Sequence, residues 1–317
     1  MPIPLIARRG AQRLAKIFTL LIASAAGCST SSSTATGDAA NRGMTKEYSP
    51  SGQTKTFDLT ITEFDWEVAP GAIYKAIGYN GKIPGPPIDV TAGDHVVIHV
   101  TNKATEPHSV HTHVVRFANG SDGVSPTSVA KPGETVTIEW DAVFAGSFPY
   151  HDHAGVNGET EGITRGLYGP LVVHAPDETK AVENVVMLSD FDTKFYRQLP
   201  GVAMGDAGPG PGAYRGGHQY MHTINGRAYE EWSPHFEAKL ADLVRWRVIS
   251  IGQEFHTFHV HGHRWVGADG VLTDNINLGP GTYSTFEWKE DNAGDWLYHC
   301  HVPAHMEGGM MGTYSVK

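Results

Sequence analysis

The stretch Thr135-Val136-Thr137-Ile138-Glu139-Trp140 alternates polar and apolar residues, the period of a strand with one face buried. Short apolar runs at 96–100, 171–173, 185–188 and 243–249 are bounded by Gly, Pro, Asn or Asp and predict further strands. From about Lys55 onward no long segment keeps a helical period. The 37 Gly and 19 Pro suit a turn-rich chain and are too many for a helical bundle. An all-β fold is expected.

The hydrophobic pattern also repeats. PGETVTIEWDAVFAGSFPYHDH, ending at His153, matches PGTYSTFEWKEDNAGDWLYHCH, ending at His301, without a gap. Pro132, Gly133, Glu139, Trp140, Ala145, Gly146, Tyr150, His151 and His153 recur 148 residues on, and the same offset carries His108, His111 and His113 onto His256, His259 and His261. Shared composition does not produce an ungapped register of that length, so two copies of one β-sandwich are predicted, over 54–178 and 179–317. The Gly/Pro-rich stretch 201–217 reads as an insertion in the second copy.

The amino-terminal pattern is different. Arg8, Arg9, Arg13 and Lys16 precede the apolar run 17–26, which is too short to span a bilayer. Residues 1–28 are therefore expected to be an export signal. Ala25-Ala26-Gly27-Cys28 resembles a lipobox that would place a lipid anchor on Cys28, and Ala23-Ser24-Ala25 offers ordinary cleavage and secretion instead. The Ser/Thr-rich stretch that follows predicts a flexible tether over 29–53. The folded part would then work outside the cytoplasm, in the periplasm or cell envelope. A formal net charge of -10 argues against a nucleic-acid partner.

Composition adds the chemistry. Eighteen His stand against two Cys, so a disulfide scaffold and a Cys-rich zinc protein are both excluded. On a strand, residues i and i+2 share a face, so each His-x-His sets two imidazoles side by side and turns the middle residue away. In His299-Cys300-His301 the thiol therefore faces one way and both rings the other. His256, His305 and Met310 complete a set with Cys300. Two imidazoles, one thiolate and an axial thioether form the blue-copper arrangement, and a structural zinc site would not need the Met. Eight His remain, at 111, 113, 151, 153, 259, 261, 299 and 301, four from each half.

These motifs in this order resemble those of the multicopper oxidases, and the region 54–317 resembles the small two-domain laccases through HTFHVHGHRW, YHDH, TINGR, GLYGP and YHCHVPAH. The resemblance implies a Greek-key cupredoxin fold in each half and four coppers per chain. Type 1 copper would take His256, Cys300, His305 and Met310; type 2 would take His111 and His259. One type 3 copper would take His113, His151 and His301, and the other His153, His261 and His299. It further implies a homotrimer in which the first domain of one copy and the second domain of the next share the three-copper cluster. Phenols or aromatic amines would be oxidised one electron at a time, electrons would pass from Cys300 to His299 and His301, and O₂ would be reduced to water. Asp122 and Asp274 are acid–base candidates by position, with turn-forming Asp as the alternative. Phe117 stands where some relatives carry a Tyr.

Within the repeat, His108 occupies the register of His256, Asp152 that of Cys300, and Leu167 that of Met310. The first domain thus reads as a cupredoxin without its blue copper. Copper nitrite reductases keep that copper in the first domain and need only three further His, so they are the runner-up. A non-catalytic copper carrier is the third reading. With only 8 Met and no Met-rich segment, oxidation of cuprous ion is disfavoured. His218 and His222 read as exposed loop residues that could line a substrate mouth, and His95, His99, His174, His235 and His263 as surface or supporting residues.

Overall fold

A computed structural model describes residues 46–114, 116–154, 159–198 and 220–317. The expected export signal, Cys28, His218 and the insertion at 201–217 lie outside the described residues. Within them the alternating and apolar runs become strands as expected: His95–Asn102, Thr135–Asp141, Tyr168–His174, Val182–Asp192 and Leu243–Ser250 contain all five. Among the described residues two short α-helices are present, Glu159–Arg165 and Pro303–Glu307, the second starting on a Pro whose missing N–H costs nothing there.

Each copy of the repeat is a two-sheet sandwich, and the two sandwiches share one topology. In the first, one sheet runs Ala72–Tyr79, Thr54–Ala69, His95–Asn102, Thr135–Asp141, with Tyr196–Gln198 of the second copy added at the Ala72–Tyr79 edge, and the other Ile88–Thr91, Tyr168–His174, Gly146–His151, His111–Thr112. In the second the matching orders are Tyr220–Ile224, Val182–Asp192, Leu243–Ser250, Tyr283–Lys289, and His235–Ala238, Met311–Val316, Gly294–His299, His256–Val260, with Asn275–Leu278 added at the edge. Both are cupredoxin-like β-sandwiches. The 148-residue offset is visible in the pairing itself: His111 lies opposite His151, and His259 opposite His299.

The same local devices hold both copies. Tyr150 donates its buried hydroxyl to the Pro86 carbonyl at 2.6 Å, and Tyr298 does the same to Pro234. Asn80-Gly81 and Asn225-Gly226 each turn a hairpin with both residues at positive φ, which Asn and Gly tolerate best. Each sandwich has its own apolar core, around Ile98 and Trp140 in the first and Trp246, Phe258 and Tyr298 in the second.

A third core lies between them, built from residues such as Tyr74, Ile83, Tyr168, Met187, Phe191 and Ile249. Trp66 donates its indole N–H to the Gly226 carbonyl at 2.7 Å, while the Arg227 guanidinium lies 4.0 Å over the Trp66 ring and bonds the Glu67 carbonyl. At the other end of this seam Arg247 binds Glu183 at 2.7 Å, Glu178 at 2.9 Å and the Ser147 hydroxyl at 3.2 Å. His174 meets Glu178 at 2.5 Å, and its carboxylate partners Asp89 and Glu178 outweigh burial to raise its pKa to about 9. The last residues of the expected tether also join the first sandwich, since the Tyr48 amide donates to Val143 and the Ser51 amide to Gly93.

Candidate metal centre

The fold brings Cys300, His256 and His305 together. His256 lies in the strand His256–Val260, Cys300 follows the strand Gly294–His299, and His305 lies in the helix Pro303–Glu307. The two Nδ1 atoms of His256 and His305 are 3.2 Å apart, and the Cys300 Sγ is 3.9 and 3.7 Å from them. Met310 is fully buried, and its backbone is locked to both partners: its amide donates to His305 at 3.0 Å and its carbonyl accepts from Cys300 at 3.1 Å.

The opposite edges of these imidazoles are anchored. His256 Nε2 is 3.2 Å from Asp190, and His305 Nε2 is 3.1 Å from Glu254. Asp190 also receives His222 at 2.7 Å and the amides of Gln253 and Glu254 at 2.6 and 3.0 Å. Gly252 leaves room for that carboxylate, since a Cβ there would come within 2.0 Å of it. Burial pushes the Cys300 thiol up, but bonds from His256 and His305 and the amides of Thr257 and Val302 outweigh it and bring it down to about 5. The thiolate is therefore the form that faces the two Nδ1 atoms. Such a soft donor set fits copper, and the anchored outer nitrogens are the support that metal-binding imidazoles ordinarily have.

The remaining eight His form two groups. In the first domain His113 Nε2 and His151 Nε2 approach to 3.1 Å, with His111 and His153 beside them. In the second, His261 Nε2 and His299 Nε2 approach to 3.0 Å, with His259 and His301 beside them. Main-chain carbonyls hold the other nitrogens: His111 donates Nδ1–H to Asp122 at 2.7 Å, His151 to Asp152 at 2.9 Å, His259 to Asp274 at 2.6 Å and His299 to Cys300 at 2.8 Å. Each of these rings therefore points its Nε2 away from its anchor. Burial first, then the neighbouring imidazoles, lowers His113 to about 4 and His151 to about 3, and His261 and His299 shift the same way. Neutral, converging imidazoles are the ligating form.

Models of known families match both halves under one description, multicopper oxidase, over residues 43–178 and 208–317. The chain belongs to the multicopper oxidase family. It is similar to a solved multicopper oxidase (TM-score 0.71, 26% identity, 86% of this chain and 93% of that one). It is also similar to a blue copper oxidase from Nitrosomonas europaea (TM-score 0.70, 30% identity, 83% and 86%). Among curated proteins it is 32% identical over 280 residues to a probable nitrite reductase-hydroxylamine oxidoreductase fusion protein of Kuenenia stuttgartiensis, spanning 79% of this chain but only 30% of that protein.

In this multicopper oxidase chain the first-domain counterpart of the Cys300 set keeps its backbone and changes its side chains. The Asp152 amide donates to Leu167 at 3.0 Å, as Cys300 does to Met310, so Leu167 does stand at the Met310 position. The Leu167 amide donates to Gly162 as the Met310 amide does to His305, which makes Gly162 the counterpart of His305. The repeat had not revealed that residue, because a Gly offers no side chain to match against His305, although the offset of 143 is the one that relates Leu167 to Met310. Asp152 fills the space an imidazole would take: a Cβ on Gly162 would lie 2.3 Å from its Oδ2.

Other expectations need correction. His222 is no exposed loop residue: it is buried in the strand Tyr220–Ile224 and stacks on His305 at 3.8 Å. Superposing the two Asn-Gly turns puts His222 at the register of Ile77, a buried position, so the repeat did carry that signal. Asp190, at the hub of the Cys300 set, carried no comparable signal. His263 is also buried, between Trp288 and Trp296, and bonds Glu290 at 2.8 Å. His174 stands beside the seam, whereas His95, His99 and His235 make partly exposed contacts with Asp141, Thr137 and Thr313. For Asp122 and Asp274 the main-chain carbonyl is the part that holds an imidazole. The Asp122 carboxylate lies 3.3 Å from the same His111 Nδ1, and Asp274 lines a cleft with His259 and Arg264. Phe117 stands edge-on to His111 at 6.3 Å, so no phenol is present there.

Proposed function

We propose that this chain is a laccase-type member of the family, oxidising phenols or aromatic amines one electron at a time and reducing O₂ to water. The observation that carries the reading is the pairing of Nε2 atoms, His113 with His151 and His261 with His299, in two groups, the second of which contains both sequence neighbours of Cys300, His299 and His301. Four copper ions per chain would be held. His256, Cys300, His305 and Met310 would hold type 1, and His111 and His259 type 2. His113, His151 and His301 would hold one type 3 ion, and His153, His261 and His299 the other. Copper would supply one-electron redox chemistry at the first site and the place of dioxygen reduction at the others.

The chain's own residues prepare that chemistry. The bonds to Cys300 keep it a thiolate, Asp190 and Glu254 fix the two imidazoles beside it, and one peptide unit joins it to each neighbouring His. Glu254 and the buried His222–Asp190 pair lie beside His305, where a reducing phenol would approach and could pass its proton to a carboxylate. Asp122 and Asp274 stand beside His111 and His259, placed to carry protons inward.

Among the described residues no ring contact joins the two His groups within one chain, and His261 and His301 are exposed. This supports a cluster completed between copies, and hence a homotrimer. Export, with a lipid on Cys28 or by cleavage, is part of the same proposal. The test is copper content, visible spectrum and oxygen uptake on the isolated protein. The expected result is an intense blue band, a near-ultraviolet shoulder and phenol-dependent consumption of O₂. Phenol oxidation without oxygen uptake sinks it.

Nitrite reduction is the second reading, favoured by the similarity to the Kuenenia protein. The replacement of the blue-copper donors by Asp152, Gly162 and Leu167 in the first domain speaks against it. Nitrite-dependent formation of nitric oxide by the copper-loaded protein would restore it.

A further inference from the structure

Position 152 lies between His151 and His153, just as Cys300 lies between His299 and His301, yet it bears a carboxylate that no copper needs. Asp152 is fully buried, and burying a carboxylate is costly unless its oxygens are satisfied. Here they are. Oδ1 accepts the Ser109 amide at 2.8 Å, the Ser109 hydroxyl at 3.4 Å and the Ala154 amide at 3.3 Å, and Oδ2 accepts His108 Nδ1–H at 2.8 Å.

These bonds continue into both neighbouring imidazole residues. The Ser109 hydroxyl accepts the His153 amide at 3.0 Å, and the Asp152 carbonyl accepts His151 Nδ1–H at 2.9 Å. The second domain builds the same frame around sulfur: the Thr257 amide donates to Cys300 Sγ at 3.4 Å, and the Thr257 hydroxyl accepts the His301 amide at 2.6 Å. His108 is informative too. Among the described residues its buried Nε2 has no partner, and its Nδ1 bonds Asp152. A core imidazole left half-satisfied costs free energy, and filling an empty cage with Leu or Met would avoid that cost.

We propose that Asp152, tied to His108, is a positioning residue for the copper cluster. It fixes the backbone of residues 151–153, and with it His151 and His153, by hydrogen bonds, as a bound metal would fix residues 299–301 at Cys300. This rests on the cluster reading given above. Removing such a support of a ligand is expected to lower metal affinity by about 10–100-fold.

The experiment compares the copper-loaded full chain with Asp152→Ala, Asp152→Asn and Gly162→Ala, titrating each with a copper chelator. The near-ultraviolet shoulder reports the cluster, and the blue band, held by the other domain, reports the Cys300 site. Asp152→Ala is expected to lose the shoulder at about 10–100-fold lower chelator while keeping the blue band. Asp152→Asn keeps an acceptor for Ser109 and a bond to His108, and should stay near wild type. Gly162→Ala leaves every donor in place but drives its Cβ into the carboxylate, so it should behave like Asp152→Ala and decides the matter if that variant does not fold. A shoulder as resistant in these two variants as in wild type overturns the inference. So does a parallel loss of both bands, which would mark a general structural role. A wild-type protein with a blue band and no shoulder overturns the cluster reading itself.

Discussion

The two domains fold the same strands around the same tyrosine bonds and Asn-Gly turns, and differ where the second carries its thiolate. His256, Cys300, His305 and Met310 in one become His108, Asp152, Gly162 and Leu167 in the other, with the backbone hydrogen bonds retained. The cupredoxin frame is thus independent of what fills its cage. A buried carboxylate with four donors serves where the other domain presents sulfur to two imidazoles. The neighbouring His pairs, by contrast, are kept in both copies, because they face the other side of the strand.

The comparison can be broken most directly at its one thiolate. Cys300→Ser should lose the blue band and lower phenol-dependent oxygen uptake by on the order of a thousandfold or more, while the near-ultraviolet shoulder persists. Retained uptake would show that electrons enter without that sulfur. The reverse experiment rebuilds the lost cage. The triple variant Asp152→Cys, Gly162→His, Leu167→Met should take up a further copper and roughly double the blue absorbance per chain. Copper content unchanged from wild type would mean that the two frames differ by more than their side chains.

Two smaller effects sharpen it. Beside the seam between the domains stands His174, whose pKa is raised to about 9 by Asp89 and Glu178 against the opposing effect of burial. A raised pKa contributes stability that is fully present below the ordinary value of 6.5 and is lost as pH rises through about 9. The melting temperature of His174→Gln should therefore lie below wild type at pH 6 and converge with it near pH 10. A constant gap across that range would remove the protonated imidazole from the account. Smallest of all, Tyr150→Phe and Tyr298→Phe each delete one buried hydroxyl bond and should each cost ~1 kcal/mol in denaturant unfolding. Clearly unequal costs would show that the two frames are not mechanically equivalent.

Much of this was legible in the sequence. Period-2 alternation gave the strands, and an ungapped 148-residue register gave two sandwiches and aligned His111 with His259 and His151 with His299. Across the change of offset the register still aligned Leu167 with Met310, but it did not show Gly162 opposite His305. Gly162 escaped notice because a Gly carries no chemical signature. His222 was missed because the long insertion just before its strand obscures the register that aligns it with Ile77, and Asp190, on the strand before that insertion, was missed because nothing in its own stretch marks it. The carbonyls that orient His111, His151, His259 and His299 are invisible in any sequence, since every residue has one.

The seam built on Trp66 and Arg227 holds the two His groups of one chain at a fixed angle. If each copy completes the next copy's cluster, that angle decides how many copies meet before the ring closes. The stack of a guanidinium on an indole would then act as a gauge of assembly number. Loosened, it would give rings of mixed size and open chains, with the contact surfaces themselves unaltered.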